Sequence, residues 1–263
     1  MNTIETHCDF HLGDNLFQLH FLRGLAAAHP EAEFVHAAHG CHLEQLREAV
    51  ADVPRIRLVP LEERAPWSLS CWKNEGNFFG GMAESPDYYE FYLRWFAHHA
   101  AQLGLESPFT KMTDLLFDYP ALLAPVCPGL VCDTLFVNSQ PCSGQWLAYD
   151  GAEAQRMVLD GIAREMAART RLVVTQRVED SAIPCTRDLG LSVTGIGHLS
   201  LRCAKVVMIG TGPAWPTCNV FNLATVRTRI VLMQPERVNF APGIRHVRDF
   251  AELRLVLAGE DLL

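Results

Sequence analysis

Residues 3–25, TIETHCDFHLGDNLFQLHFLRGL, decide how the fold is interpreted. Residues 3–8 have the length of one short strand, and Gly13 permits a tight turn after it. From Asp14 onward the apolar side chains recur at the spacing of one helical face. These side chains belong to Leu16, Leu19, Leu22 and Leu25. The segment therefore predicts a strand, a turn and a helix in direct succession.

The same alternation of strand and helix continues along most of the chain. Apolar runs predict strands at residues 33–38, 56–60, 113–117, 134–139, 172–175, 206–209 and 229–233. Helical periodicity predicts helices at residues 43–50, 88–103, 152–168, 198–204, 217–223 and 249–257. Because parallel strands need crossover connections, this pattern predicts an α/β protein with mostly parallel sheets covered by helices.

The length of the chain indicates more than one domain. Its 263 residues exceed the roughly 100 to 200 residues of a typical domain. A proline-bearing stretch at residues 120–128 interrupts the pattern before the second run of strands. We therefore expect two Rossmann-like lobes, residues 1–132 and 133–263, with a cleft between them. In open parallel sheets ligands bind beyond the carboxyl ends of the strands, so we expect the functional residues there.

Composition and charge exclude several classes of protein. Hydrophobic residues make up 49% of the chain and charged residues 20%, so packed cores are expected throughout. The formal net charge is -8 and no cluster of Lys and Arg stands out, which argues against a nucleic-acid partner. We find no leader peptide and no apolar run of about 18 residues, so we expect a cytoplasmic protein. The 9 cysteines show no CxxC spacing and are expected to be reduced.

The first stretch that could carry catalytic chemistry is the turn from His11 to Asn15. Its acidic residue, Asp14, is predicted to stand at the start of a helix and at the carboxyl edge of the sheet. A carboxylate in that position can remove a proton from an acceptor hydroxyl. It can equally cap the helix by accepting backbone N–H bonds, and the residues alone leave both roles open.

The second such stretch is MIGTGP at residues 208–213, which follows a predicted strand. Its small residues allow the backbone to approach a ligand, and Thr217 and Asn219 are expected to open the next helix. Backbone N–H groups and the dipole at a helix start attract a diphosphate. A GxG pattern is also typical of an ordinary turn between a strand and a helix, so this alternative stays open.

Together the two stretches resemble the heptosyltransferase-like glycosyltransferases, which transfer a sugar from a nucleotide-sugar donor and have the two-lobed GT-B fold. The similarity lies in the pattern and order of short motifs, and it extends loosely over the whole chain. The matching segments are Gly13-Asp14 and LAAAHPEAE at residues 25–33 in the first half, and residues 199–201, 206–209 and 211–213 in the second.

The resemblance implies an inverting, metal-independent transfer to a hydroxyl on a saccharide or glycolipid acceptor. It makes Asp14 the catalytic base and places the donor phosphates against the turn that begins at Thr211. It implies no cofactor beyond the nucleotide-sugar donor, whose charge the backbone dipoles would stabilise. The full set of residues expected to contact the donor is Gly13, Ser139, Gln140, Gln176, Arg177, Thr211, Gly212, Pro213, Thr217 and Asn219.

Three positions depart from the pattern of this family. Gly210 stands where the family often has aspartate, and Trp215 stands where it often has histidine. Gln140 follows the strand after which the family tends to place a basic residue for the leaving group, and Arg177 is the candidate substitute. Two alternatives therefore stay open: a nucleotide-sugar epimerase or hydrolase of the same fold, and a binding protein that has lost the nucleotide contacts.

Histidines and cysteines gather near the predicted ends of the first two strands. They are His7, Cys8, His11, His36, His39, Cys41 and His42. Neighbouring parallel strands could bring them together as metal ligands. Their spacing matches no zinc signature, and histidines at strand ends more often bond to backbone groups or line a polar pocket. We therefore favour a site without metal.

An aromatic, glycine-bearing stretch at residues 62–86 has no clear period. Trp67, Trp72, Phe78 and Phe79 would suit stacking on a sugar ring or peripheral contact with a membrane-held acceptor. The alternative is a loop that packs onto its own lobe. The aromatic stripe of the predicted helix at residues 88–103 is interpreted as core.

Overall fold

The computed structural model describes residues 2–70, 88–139, 151–232 and 243–263. The chain divides into two compact units, Met1–Ala121 and Leu122–Leu263. This division falls earlier in the chain than the predicted boundary between residues 132 and 133. Each unit is built on a parallel sheet with helices, which confirms the predicted fold class.

The first unit contains a four-stranded parallel sheet. Its strands are β1 (Asn2–Cys8), β2 (Ala32–Ala38), β3 (Ile56–Pro60) and β4 (Leu69–Ser70). Its helices are α1 (Leu12–Ala28), α2 (Gly40–Val50) and α3 (Tyr88–Gln102). The strand order is β3-β2-β1-β4, so the first strand of the chain lies inside the sheet with a neighbour on each side.

Helix α1 is stabilised by a fully buried apolar face. The four leucines that the sequence assigns to this face have no exposed surface, and burying each contributes roughly 1.5 to 3 kcal/mol. Phe21 stacks on Phe96 of α3 with the two ring centroids 4.8 Å apart. Trp95 and Phe96 have no exposed surface either. Of the aromatic stripe of α3, the side chains of Tyr92, Trp95 and Phe96 thus belong to the core of the first unit.

The predicted strand at residues 113–117 is wrong. The structure has a short 3-10 helix there, Met112–Leu115. The Asp114 carboxylate accepts hydrogen bonds from the backbone N–H groups of Thr110 and Lys111 at 2.9 and 3.1 Å. Bonds from a side chain to the nearby backbone compete with strand pairing, and here they favour a turn.

The second unit contains a five-stranded parallel sheet. Its strands are β5 (Thr134–Val137), β6 (Leu172–Val174), β7 (Lys205–Ile209), β8 (Thr228–Leu232) and β9 (Ile244–Val247). Its helices are α4 (Ala152–Ala167), α5 (Val193–Ser200) and α6 (Phe250–Gly259). The strand order is β6-β5-β7-β8-β9. Helix α5 begins earlier than predicted because Ser192 caps it, accepting the Gly195 N–H at 3.2 Å.

The predicted helix at residues 217–223 is also wrong. Two 3-10 helices, Gly212–Thr217 and Val220–Asn222, occupy this part of the chain. Pro213 and Pro216 lack the backbone N–H that a continuous α-helix requires. The segment therefore turns twice in short steps instead of forming one helix with a strong dipole.

The helices of the described residues are of ordinary length. The longest of them, α1, has 17 residues. Within the described ranges, no helix combines the length and hydropathy that crossing a bilayer requires.

Candidate functional site

Each sheet has a topological switch point, where the strand order changes from one side of the sheet's first strand to the other. In the first unit β1 leads to β2 on one side, while β4 pairs with β1 on the other. In the second unit β5 leads to β6 on one side, while β7 pairs with β5 on the other. Ligands of open parallel sheets bind beyond the carboxyl ends of the strands at such points. The candidate site residues are therefore those that follow β1, β5 and β7.

Asp14 lies near the switch point of the first unit, in the first turn of α1. The sequence predicts that Gly13 lies in a turn before the helix. In the structure the helix begins at Leu12, so Gly13 is instead a buried residue of the helix. The Asp14 Oδ2 atom accepts a hydrogen bond from the backbone N–H of His11 at 3.1 Å. The carboxylate thus caps the helix, which is one of the two roles that the sequence leaves open.

The environment of Asp14 also alters its protonation. The side chain is half-buried. Burial raises the pKa of the Asp14 carboxyl above its usual 3.8, and the hydrogen bond from His11 offsets part of the rise. A carboxylate with a raised pKa is a stronger base, which suits it to proton transfer closer to neutral pH.

A buried network next to Asp14 holds the start of α1. Asn15 donates from Nδ2 to the His11 carbonyl at 2.9 Å, which leaves its Oδ1 atom to accept from His36 Nε2 at 3.0 Å. His36 Nδ1 then accepts from the Thr6 hydroxyl at 3.0 Å. Burial lowers the pKa of His36 to about 3, so the ring is neutral. The network joins β1, β2 and α1. The one residue in the sequence that could have indicated this network is Asn15, the asparagine directly after Asp14.

Two further histidines near these strand ends, His7 and His39, bond to protein groups. His7 Nδ1 lies 2.8 Å from the Ser68 hydroxyl, and His39 Nε2 donates to the Asp9 carbonyl at 3.1 Å. In the parts of the chain that the structure describes, no three His, Cys, Asp or Glu side chains converge as metal ligands. The bonds observed are those of histidines that support strand ends.

At the ends of β5 and β6, polar residues form one hydrogen-bonded network. The Asn138 Oδ1 atom accepts from the backbone N–H groups of Thr175 and Gln176 at 3.0 and 2.8 Å. The Ser139 hydroxyl lies 2.7 Å from the Thr175 hydroxyl. Two predicted donor contacts, Ser139 and Gln176, are thus brought to the same edge. Asn138 and Thr175 were not among the predicted site residues, because the sequence places them inside the predicted strands 134–139 and 172–175; in the structure each stands directly after its strand.

Arg177 follows β6 and is engaged in an ion pair. Its Nε atom donates to the Asp188 carboxylate at 2.9 Å, and 70% of its side chain is exposed. The carboxylate partly neutralises the cation that the sequence suggests for the leaving group. Of the aromatic loop residues, Trp67 is described and is 77% exposed. Outside the described residues lie Gln140, Trp72, Phe78 and Phe79.

The turn after β7 carries Thr211, Gly212 and Pro213. Thr211 is buried and stands just before the 3-10 helix Gly212–Thr217, and its hydroxyl donates to the Ile209 carbonyl at 3.4 Å. The first N–H groups of a helix have no acceptor within the helix itself. Gly212 and Pro213 are half-buried, so this turn keeps surface that a ligand can reach.

Thr217 and Asn219 do not lie at this surface, contrary to the prediction that they contact the donor. Both are completely buried. The Thr217 hydroxyl donates to the Ala214 carbonyl at 2.6 Å, and Asn219 Nδ2 donates to the Pro216 carbonyl at 2.7 Å. Because the chain turns in two 3-10 helices, these side chains point into the unit and stabilise the turn from inside.

Comparison with known proteins shows similarity in structure. No protein-family model matches the sequence, and no curated protein sequence matches it either. The chain is similar to E. coli heptosyltransferase WaaC with ADP-2-deoxy-2-fluoro heptose, with a TM-score of 0.55 and 12% identity over 99% of this chain and 100% of that chain. It is also similar to E. coli ADP-heptose LPS heptosyltransferase II, with a TM-score of 0.52 and 12% identity over 99% of each chain.

A third similar structure comes from another organism. The glycosyl transferase family 9 protein from Veillonella parvula matches with a TM-score of 0.51 and 12% identity over 100% of this chain and 90% of that chain. At this identity the comparison concerns the fold. The resemblance first drawn from short motifs is thus confirmed in three dimensions: over nearly its whole length the chain has the fold of the heptosyltransferases.

Proposed function

We propose that this protein is an inverting glycosyltransferase that moves a sugar from a nucleotide-sugar donor to a hydroxyl acceptor without a metal. The observation that carries the proposal is the heptosyltransferase fold over nearly the whole chain, including a structure with ADP-2-deoxy-2-fluoro heptose. An adenosine diphosphate sugar is therefore the first donor to test. Because one fold can host many reactions, the proposal also rests on the residues at the strand ends.

Asp14 is the general base in this proposal. Its carboxylate takes the proton of the acceptor hydroxyl while the hydroxyl oxygen attacks the anomeric carbon of the donor sugar. The bond between that carbon and the diphosphate breaks, and its electron pair leaves with the nucleoside diphosphate. The new bond forms on the face opposite the leaving group, so the configuration inverts. The pKa of Asp14, raised by burial, supports this role.

The second unit binds the donor in this proposal. Ser139, Gln176 and the turn at Thr211 and Gly212 follow three adjacent strands. Backbone N–H groups and hydroxyls at such an edge can stabilise the negative charge that develops on the departing diphosphate. The acceptor is a saccharide or a glycolipid, and the exposed indole of Trp67 offers a face for its sugar or for a membrane surface.

Replacing Asp14 by asparagine tests the base. Asp14→Asn keeps an oxygen that can accept the His11 N–H, so the helix cap survives. We expect release of nucleoside diphosphate in the presence of acceptor to fall by about 10² to 10⁴-fold. The melting temperature should stay the same or rise, because the variant removes a charge whose burial is unfavourable.

The control is Glu44→Gln, which removes an exposed carboxylate on α2 and should keep full activity. Unchanged turnover in Asp14→Asn would refute the catalytic role. Nucleoside diphosphate released from the donor without any acceptor would identify a hydrolase instead.

A further inference from the structure

Two cysteine sulfur atoms meet in the interior of the second unit. The Sγ atoms of Cys132 and Cys203 lie 3.0 Å apart, and both residues are free thiols in the structure. They are 5% and 1% exposed. Even unbonded carbon atoms, which are smaller than sulfur, have their best separation at about 3.5 to 4.0 Å. The two sulfur atoms thus lie closer together than unbonded neighbours normally do, and only about 1 Å farther apart than in a disulfide.

The backbone brings this pair of cysteines together. Cys132 stands two residues before Thr134, Cys203 stands two residues before Lys205, and Thr134 faces Lys205 across β5 and β7. The Asp133 carbonyl accepts the backbone N–H of Lys205 at 3.1 Å, which ties the two segments together at the start of the strands. Adjacent strands lie about 4.8 Å apart, and the Cα atoms of bridged cysteines lie about 4.4 to 6.8 Å apart. The strands therefore bring the two cysteines to neighbouring positions, within the reach of a bridge.

Each of the two thiols has a backbone acceptor of its own. Cys132 Sγ donates to the Thr134 carbonyl at 3.2 Å, and Cys203 Sγ donates to the Leu199 carbonyl at 3.4 Å. A hydrogen bond between the two sulfur atoms is therefore not needed to satisfy either thiol. Their close approach needs another explanation, and a covalent bond between them supplies one.

Burial decides when such a bond can form. The contact with the Cys132 thiol and burial raise the pKa of the Cys203 thiol above its usual range. In the folded chain this thiol is therefore protonated and a poor nucleophile. An oxidant also has little access to sulfur atoms that are so nearly covered. In the unfolded chain both thiols are open to solvent, so the bond is expected to form while the chain folds, and burial then protects it from reductants.

We propose that Cys132 and Cys203 form a buried disulfide when the chain folds in the presence of a small-molecule disulfide such as oxidised glutathione. One cysteine thiolate attacks a sulfur of that molecule, whose S–S bond breaks, and a glutathione thiolate leaves. The second cysteine thiolate then attacks the first cysteine sulfur in the mixed disulfide and releases the other glutathione thiolate. The two cysteine protons end on the two released thiols, so one disulfide replaces another. The bond does not depend on the transfer reaction proposed above.

The bond should stabilise the second unit. A disulfide acts mainly by restricting the unfolded chain, and it restricts more when it closes a longer loop. The two cysteines are 71 residues apart in the sequence, and the loop between them contains β5, α4, β6 and α5. We expect the melting temperature of the oxidised chain to exceed that of the reduced chain by about 5 to 15 °C.

Oxidative refolding of the full chain tests the bond. The chain is reduced and unfolded in guanidinium, and it is then refolded by dilution into a mixture of reduced and oxidised glutathione. Free thiols are blocked with iodoacetamide in guanidinium, and the digested chain is mapped by mass spectrometry. We expect one pair of peptides joined through Cys132 and Cys203. Dithiothreitol should leave this bond intact in the folded chain and reduce it once guanidinium is added.

Alanine variants connect the bond to the change in stability. Cys132→Ala and Cys203→Ala should each abolish the difference in melting temperature between the oxidised and reduced chains. The matched control is Cys185→Ala, another buried cysteine of the second unit, which should keep both the joined peptides and the difference. If an alanine variant does not fold, the peptide map of the parent chain decides alone. Both thiols blocked by iodoacetamide after refolding, or a bond from either of them to another cysteine such as Cys127, would overturn the proposal.

Discussion

At the residue scale, Asp14 combines a structural and a proposed chemical role on one carboxylate. Oδ2 accepts the N–H of His11, and an acceptor role of this kind does not prevent the carboxylate from taking a proton. The position of Asp14 after a strand could be predicted from the sequence. The rise in its pKa could not, because burial depends on segments that are remote in the chain.

The raised pKa of Asp14 should give the transfer reaction an acid limb. The base acts in its ionised form, so kcat/KM should fall as the pH drops through a pKa above the ordinary 3.8. A pH profile of kcat/KM measures this. A limb centred on 3.8, or the same limb in the residual activity of Asp14→Asn, would contradict the assignment.

His36 should make the first unit sensitive to acid. Its folded pKa is lowered from 6.5 to about 3, so below pH 6.5 the unfolded chain binds a proton that the folded chain excludes. The free energy of unfolding should therefore fall by at most roughly 1.4 kcal/mol per pH unit on this account. In His36→Gln the dependence between pH 6.5 and 3 should be shallower, as measured by urea unfolding. Parallel curves for parent and variant would rule out this contribution.

At the element scale, two glycines of α5 should respond differently to alanine. A Cβ on Gly197 would meet the Pro216 carbonyl oxygen at 2.7 Å and the Pro216 Cβ at 2.8 Å, whereas a Cβ on Gly195 would meet nothing closer than 3.4 Å. We expect Gly197→Ala to destabilise the second unit by about 1 to 3 kcal/mol. Gly195→Ala should be neutral or gain up to about 1 kcal/mol.

Urea unfolding compares these two variants, and nucleotide binding provides a second measurement. Because Gly197 lets α5 approach the 3-10 helix that follows Thr211, its substitution should also weaken nucleotide binding. Equal stability of the two variants would show that the contact between α5 and this turn can relax at little cost.

Elements with a strong local pattern could be predicted, and short ones could not. Strand β7 carries the continuous apolar run VVMI, and β2 is mostly apolar although Glu33 and His36 interrupt it, so the sequence predicts both nearly to their ends. Strand β4 has only two residues and β9 has four with mixed burial, so neither shows a period. Such strands form because a longer neighbour offers its edge, which is a tertiary effect.

At the scale of the whole molecule, nucleotide binding should stabilise the folded chain. A ligand present at 100 times its Kd adds roughly 2.7 kcal/mol, which corresponds to a rise in melting temperature of roughly 5 to 10 °C for a unit of this size. Scanning calorimetry with ADP, GDP, UDP and CDP measures this, and we expect the transition of the second unit to move. EDTA should leave the shift unchanged if no metal takes part.

The absence of a shift with every nucleotide would contradict donor binding and favour a binding protein without nucleotide contacts. A preference for one base would instead define the donor before any acceptor is known.

The sequence by itself determined the α/β layers and placed Asp14 and the Thr211 turn after strands, because periodicity, glycine and proline act locally along the chain. Tertiary structure alone decided the strand order, and with it the switch points beside which these residues lie. It also decided that His36 joins Asn15 to Thr6. These contacts join residues far apart in the chain, and no local pattern records which distant segments will pack together.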